Sequence, residues 1–387
     1  MKIKCFFIIV VFFCSSLAIA QTTYTKFTPG ELWLDNKGTY INAHGGGFLY
    51  YKKTYYWFGE HKIAGKNGHK AMVGVRVYSS KDVYNWKDEG IALKMLDDTT
   101  SMLQKGSILE RPKVIYNKKT KKFVMWFHHE LKDKGYKAAL TGVAVSDKVT
   151  GPYQYINSFR IHPKVWAANF TKEQQQKVAL VTKEELEKKP KGIDGLYMFR
   201  DFEVGQMSRD MTLFVDDDQQ AYHITASEEN QTLLISKLSD DYLSLTDEYV
   251  RVFSGQTNEA PAIFKKDGKY FMFSSYTTGW DPNPGRLSVS DNMMQGWKAL
   301  GNPCRGTEQE NKTTFSSQST YVLPVKGKKN AFIFVGDRWK SDSLIDSGYI
   351  WLPVEFENGI PFLKWYKSWD LNFFNKKNEP KSNTPKK

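Results

Sequence analysis

The chain has 387 residues, 55 Lys and Arg against 42 Asp and Glu, and a formal charge of +13. Such an excess raises nucleic acid as a partner. The lysines, however, are spread through turns such as Lys118-Lys119, Lys121-Lys122 and Lys265-Lys266, with no basic helix, zinc-ligand spacing or phosphate loop, so solvated turns account for the charge and no nucleic-acid partner is expected.

The chain opens with Met1, Lys2 and Lys4, then an apolar run over 5–20 that closes Leu17-Ala18-Ile19-Ala20. This is the pattern of a secretory signal peptide over 1–20, and it predicts a secreted or periplasmic protein. The run is short for a membrane span, and no later apolar run is long enough to cross a bilayer. Bulky Phe13 ahead of Cys14 disfavours lipid anchoring there. Cleavage removes Cys5 and Cys14 and leaves Cys304 alone, so no internal disulfide can form and the fold must stand on its apolar core.

From 21 to 375 the chain reads as one domain built from short runs of β-branched and aromatic residues between polar turns. Predicted strands come in order at 47–51, 54–60 and 73–78, then at 113–116, 122–128 and 140–145. The pattern then breaks over 161–207. A charged helix is expected over 171–191, with Leu180, Val181 and Leu186 on its apolar side and Pro190 and Gly192 ending it. This insertion either decorates the rim or walls the pocket. Strands resume at 211–215, 221–226 and 232–236, at 262–264, 269–274 and 286–289, and at 320–323, 331–336 and 349–352. Five copies of one unit predict an all-β, five-bladed β-propeller, with a small helical insertion between the second and third blades. Residues 376–387 form a basic tail, expected to be disordered. A monomer is expected.

A polar residue stands just before each predicted first strand: His44, Glu110, Asp210, Glu259 and Gln318. If those strands line the axis, the five side chains converge at one mouth. Convergent carboxyl groups suit glycoside hydrolysis, in which one protonated acid delivers a proton to the leaving oxygen and a group about 6.5–9.5 Å away serves the attacking water of an inverting enzyme. Neighbouring negative charge keeps the acid protonated. Trp57, Trp126, Tyr276, Trp280 and Trp339 are candidates for stacking on sugar faces, although an aromatic of this kind taken singly is more often core than platform.

These residues resemble glycoside hydrolase family 43. The acid motif is Glu259-Ala260-Pro261-Ala262-Ile263-Phe264, and Asp210 in Ser208-Arg209-Asp210-Met211 matches the residue that modulates the acid. The family's usual Asp-Pro base is replaced by Ala43-His44-Gly45-Gly46. That departure is similar to the exo-β-1,3-galactanase branch, as are Glu110-Arg111-Pro112-Lys113, the segment 278–284 around Trp280, and Gly336-Asp337-Arg338-Trp339. The resemblance implies Glu259 as general acid, Asp210 as its modulator, and Gln318 positioning water, either as its imidic tautomer or as an orienting amide. It implies that Glu60, Glu110, Arg111 and Arg338 hold sugar hydroxyls, with His44 and Trp280 also facing substrate. No cofactor is required and no metal ligand set is assigned, although the likeness allows a structural calcium at the axis through His44. The implied function is exo-acting, inverting release of galactose from β-1,3-galactan of plant arabinogalactan. Its rivals are an α-L-arabinofuranosidase or β-xylosidase on the same scaffold, or a sugar-binding propeller without catalysis.

Overall fold

The computed structural model describes residues 23–187 and 193–375; the predicted signal peptide, the basic tail and residues 188–192 lie outside them. Four antiparallel sheets of four strands and one of three follow each other along the chain in simple up-and-down order. Their first strands are His44–Tyr51, Ile108–Asn117, Met211–Val215, Glu259–Lys266 and Gln318–Pro324. The five-bladed propeller expected from the repeats is the fold. Four blades carry an outer strand beyond the three expected: Lys87–Lys94, Gln154–Phe159, Leu245–Val252 and Lys298–Gly301. Lys298–Gly301 faces solvent along its whole length and Gln154–Phe159 buries a single residue, so these two lack the apolar run that marks an inner strand, whereas Lys87–Lys94 is mostly half-buried and Leu245–Val252 buries its second half.

Runs such as Phe123-Val124-Met125-Trp126-Phe127 are buried at every position rather than alternately. The reason is that each blade is covered on both faces by its neighbours. Phe58 and Val75 of the first blade pack with Val114 and Met125 of the second. Trp126 of the second packs with Leu213 of the third, Ile224 of the third with Met272 of the fourth, and Phe273 of the fourth with Phe334 of the fifth. The ring closes where Phe48 and Trp57 of the first blade meet Ile333 and Trp351 of the fifth. Phe27, from the start of the chain, and Trp369, from its end, are set into that same joint and exchange backbone hydrogen bonds of 2.7 and 3.0 Å.

The insertion forms a helix over Lys172–Ala179, capped by a reciprocal Thr171–Gln174 box, and two short turns of helix at Lys183–Glu187 and Leu196–Arg200. It is not the single helix expected over 171–191. Leu180 caps the first helix and is 82% exposed, while Val178 is the fully buried residue. Val178, Phe170 and Met198 pack on Leu234 and Tyr249 of the third blade, away from the axis. Among the described residues, no helix is long and apolar enough to cross a membrane.

Candidate active site

The first strands do not begin after the polar residues, as the sequence suggests; four of them run through those residues by means of a bulge. Register shifts fall between His44 and Gly47, Glu110 and Lys113, Glu259 and Ala262, and Ser319 and Tyr321. In three blades the next residue is left-handed: Gly45 at φ 57°, Arg111 at 54° and Ala260 at 52°. A bulge of this kind lets pairing continue while re-aiming a side chain. Proline tolerates the site because a bulged position has no ladder hydrogen bond to lose, which is why Pro112 and Pro261 stand there. Pairing past the bulge sets a second ring beside the first: Glu60 opposite His44, His128 opposite Glu110, Ser275 opposite Glu259, and Asp337 opposite Gln318.

Glu60, Glu110, Arg111, Asp210, Glu259, Trp280 and Gln318 line one cleft of about 230 Å³ at this mouth. Arg111 is its hub. Its Nε and Nη2 donate to the two oxygens of Asp210 at 3.0 and 2.9 Å, and Nη2 also donates to Gln318 Oε1 at 2.5 Å. Gln318 Oε1 accepts a second bond from Trp339 Nε1 at 2.9 Å, and its Nε2 donates to Ser275 Oγ at 3.0 Å. Asp210 Oδ2 accepts from the backbone of Ala260 at 3.0 Å, beside Glu259. Glu259 Oε1 accepts from Asn230 Nδ2 at 2.7 Å. Burial, with the negative charge of Asp210 adding to it, pushes Glu259 up to about 8 against the opposing pull of Arg111.

Glu110 behaves in the opposite way. Burial pushes it up, but the His128 imidazole at 3.2 Å, Lys62 and the Tyr136 hydroxyl outweigh that and hold it down to about 2. His128 is buried too, yet Glu110 on one nitrogen and Glu130 at 2.9 Å on the other raise it to about 9. Glu60 accepts from the Arg111 backbone at 2.9 Å and pairs with Lys62 at 2.5 Å; burial raises it. Trp280 and Trp339 meet edge to face at 5.3 Å on the rim. Trp57 and Trp126 are core residues, and Tyr276 lies outside the cleft under Arg286.

Two expected hydroxyl-facing residues do not line the cleft. Arg338 turns away, donating to Phe315 O at 3.0 Å and lying over the Trp365 ring. The polar head follows the carbonyl behind the blade because Asp337, on the other face of the strand, is the one aimed at the axis. His44 is wholly buried beneath the site, stacked on Tyr349 at 5.2 Å. Nor do its surroundings fit a calcium. Burial, Lys62 and His61 lower it to about 3. The nearby axial carbonyls of Gly45 and Arg111 already bind the buried Lys113 ammonium at 2.9 and 3.3 Å. Glu110, His128 and Asp210 present ligand atoms within 4.8 Å of one another. Both His128 nitrogens and both Asp210 oxygens are engaged as described, so this set does not fit a metal either.

Sequence reasoning missed His128, Tyr136, Arg209 and Asn230, all of which line the cleft. For His128 a signal existed: once the second blade's hairpin is registered, it stands opposite Glu110. The turn residue Asn230 and the loop residue Tyr136 carry no such signal.

A propeller whose axial mouth gathers carboxylates, an amide and paired tryptophans into a sugar-sized cleft defines a class, the propeller glycoside hydrolases. A profile for glycosyl hydrolases family 43 matches residues 168–341. A GH43 β-1,3-galactosidase determined with galactodeoxynojirimycin is 49% identical, with 89% of this chain and 100% of that one covered and a TM-score of 0.82. An exo-β-1,3-galactanase from Phanerochaete chrysosporium, determined with β-1,3-galactotriose, is 32% identical over 90% of this chain and 69% of that one, with a TM-score of 0.72. One from Clostridium thermocellum is 32% identical over 89% and 66%, also at 0.72. Among curated protein sequences none matches. The chain belongs to glycoside hydrolase family 43 and is an enzyme acting on glycosidic bonds.

Proposed function

We propose that this chain is a secreted or periplasmic exo-β-1,3-galactanase that removes terminal galactose with inversion, acting on the β-1,3-galactan of arabinogalactan. One observation carries this reading: Glu259, Asp210 and Gln318 line one cleft whose floor is closed by buried Arg111. The exo-acting galactanases among the similar structures support exo action. The names of the similar structures support the sugar and the linkage.

Glu259 gives its proton to the glycosidic oxygen as the C1–O bond breaks. Asp210 keeps that proton on Glu259 beforehand. Gln318 orients the water that attacks C1 from the opposite face. Its Oε1 accepts from two donors, Arg111 and Trp339, which leaves no acceptor for the hydroxyl proton of an imidic form. This supports the orienting amide. The proton shed by the water passes to solvent, and Glu259 is recharged from solvent. Glu110, held ionised by His128, and Glu60 accept sugar hydroxyls. No step requires a cofactor.

The test is product analysis on β-1,3-galactan, arabinan and xylan, with the first-formed anomer read by NMR. Galactose released from the first alone, initially as the α-anomer, is expected. Arabinose or xylose as main product, or the β-anomer, refutes the reading.

The protonation state gives a second expectation. The acid must carry its proton, and that form predominates below about 8. Thus kcat/KM should hold through neutrality and fall on an alkaline limb near pH 8. A limb near pH 5, measured in buffers of constant ionic strength, would remove Glu259 from the acid role.

A further inference from the structure

None of the described residues of the inserted segment 161–207 lines the cleft, yet they are wired to it. Residues 228–230 form the turn between the second and third strands of the third blade. Glu228, Glu229 and Asn230 are all left-handed, at φ 53°, 57° and 63°. Three successive non-glycine residues in that region are strained, and such strain persists where the surroundings over-determine it. Two ionic clamps supply the constraint. Buried Glu228 takes a fork from Arg251 at 2.6 and 2.9 Å, and the same guanidinium is held by Asp194 of the insertion at 2.8 Å. Glu229 is gripped by Arg200, also of the insertion, at 2.8 Å and by Arg209 at 3.0 Å. The product of this bracing is the bond from Asn230 Nδ2 to Glu259 Oε1. The Asn230 carbonyl in turn accepts from the backbone of Asn258 at 2.6 Å, one residue before Glu259.

An amide N–H donates to the oxygen that lacks the proton. With Oε1 so occupied, the acid proton of Glu259 resides on Oε2. When Oε2 gives that proton to the glycosidic oxygen and the C1–O electron pair leaves with the sugar alcohol, Glu259 becomes a carboxylate. The Asn230 bond then runs to a charged acceptor and strengthens. An interaction that tightens as the reaction proceeds lowers the barrier.

We propose that segment 161–207 is a brace for the acid: Asp194 and Arg200 hold the turn 228–230 so that Asn230 fixes one oxygen of Glu259 and presents the proton on the other. Asp194 and Arg200 are positioning residues. The proposal rests on Glu259 being the general acid.

The experiment compares Arg200→Met, Asp194→Asn and Glu259→Gln on two substrates. β-1,3-Galactobiose has a leaving group that needs a proton, and 2,4-dinitrophenyl β-galactoside has one that departs without it. In Arg200→Met and Asp194→Asn, kcat on the disaccharide should fall about tenfold, the scale of a modest misplacement of a catalytic group. KM should hold, kcat on the dinitrophenyl galactoside should hold, and the alkaline limb should move to higher pH as a bond favouring the carboxylate is loosened. Equal losses on both substrates would reduce the brace to a purely structural element, and no loss at all in folded protein would remove it. Glu259→Gln separates the premise: if it shows the same split more strongly while the braced variants do not, the brace alone fails. If it still cleaves the disaccharide, the acid assignment fails first and the brace falls with it.

Discussion

Replacing Glu259 with Gln should cut kcat on β-1,3-linked galactose by about 10²- to 10⁴-fold, the range that a positioned general acid contributes. The substitution keeps shape and volume. Gln Oε1 can still accept from Asn230, which now reaches Glu259 at 2.7 Å. What disappears is the transferable proton, since an amide gives up its N–H far less readily than a carboxylic acid. Thermal stability should not fall. Burial and Asp210 keep Glu259 protonated near neutrality whereas the unfolded chain ionises it, so an amide that needs no proton removes that cost. Initial rates beside a melting curve check both halves. Unchanged turnover, or a collapse in melting temperature that accounts for the lost rate, would contradict the assignment.

The second large effect concerns Arg111. Its Met substitution should cost about 3–5 kcal/mol of folding stability, the scale for breaking a buried ion pair from one side. Arg111 is 5% exposed, and its positive charge acts on Asp210, Asp337 and Glu60. Without it those carboxylates lose the cation they share, and Asp337, already raised to about 7 by burial with the charge of Glu60 adding to it, loses the largest pull that opposes the rise. Activity should vanish even in the folded fraction, because Asp210 and Gln318 lose the fork that orients them together. Lysine should not restore it, since an ammonium cannot reproduce a planar fork reaching two partners. Urea unfolding and single-turnover rates make the measurement. A stable, active Arg111→Met enzyme would show that the Asp210–Gln318 geometry is held by other means.

Much of this architecture is legible in the amino-acid sequence because blades repeat. The apolar second strand of each blade is buried on both faces, so it survives as a continuous run that pattern reading catches. Outer strands such as Lys298–Gly301 pack little and were invisible for that reason. The residues at the first-strand bulges were found by their shared place in the repeat, and Glu110, Asp210, Glu259 and Gln318 do meet in one cleft. Repeat position alone could not tell which way a side chain turns. His44 sinks beneath the floor and Arg338 points behind its blade, because neighbouring aromatics and a free carbonyl offered them better surroundings than the cleft. Asn230 and Tyr136 escaped notice since turns and loops follow no period. In the insertion, helical periodicity continues across Leu180, where the chain in fact caps one helix and starts again.

The joint that takes in both Phe27 and Trp369 has a consequence for biogenesis. Four blade-to-blade contacts can assemble in the order in which the polypeptide emerges. The fifth cannot, because its tryptophan-rich seam is completed by a stretch that follows all five blades. A nascent first blade therefore carries Phe48 and Trp57 without their fifth-blade partners until Ile333, Trp351 and Trp369 have emerged, the kind of exposed apolar surface that draws chaperones or invites a second copy to fill the gap.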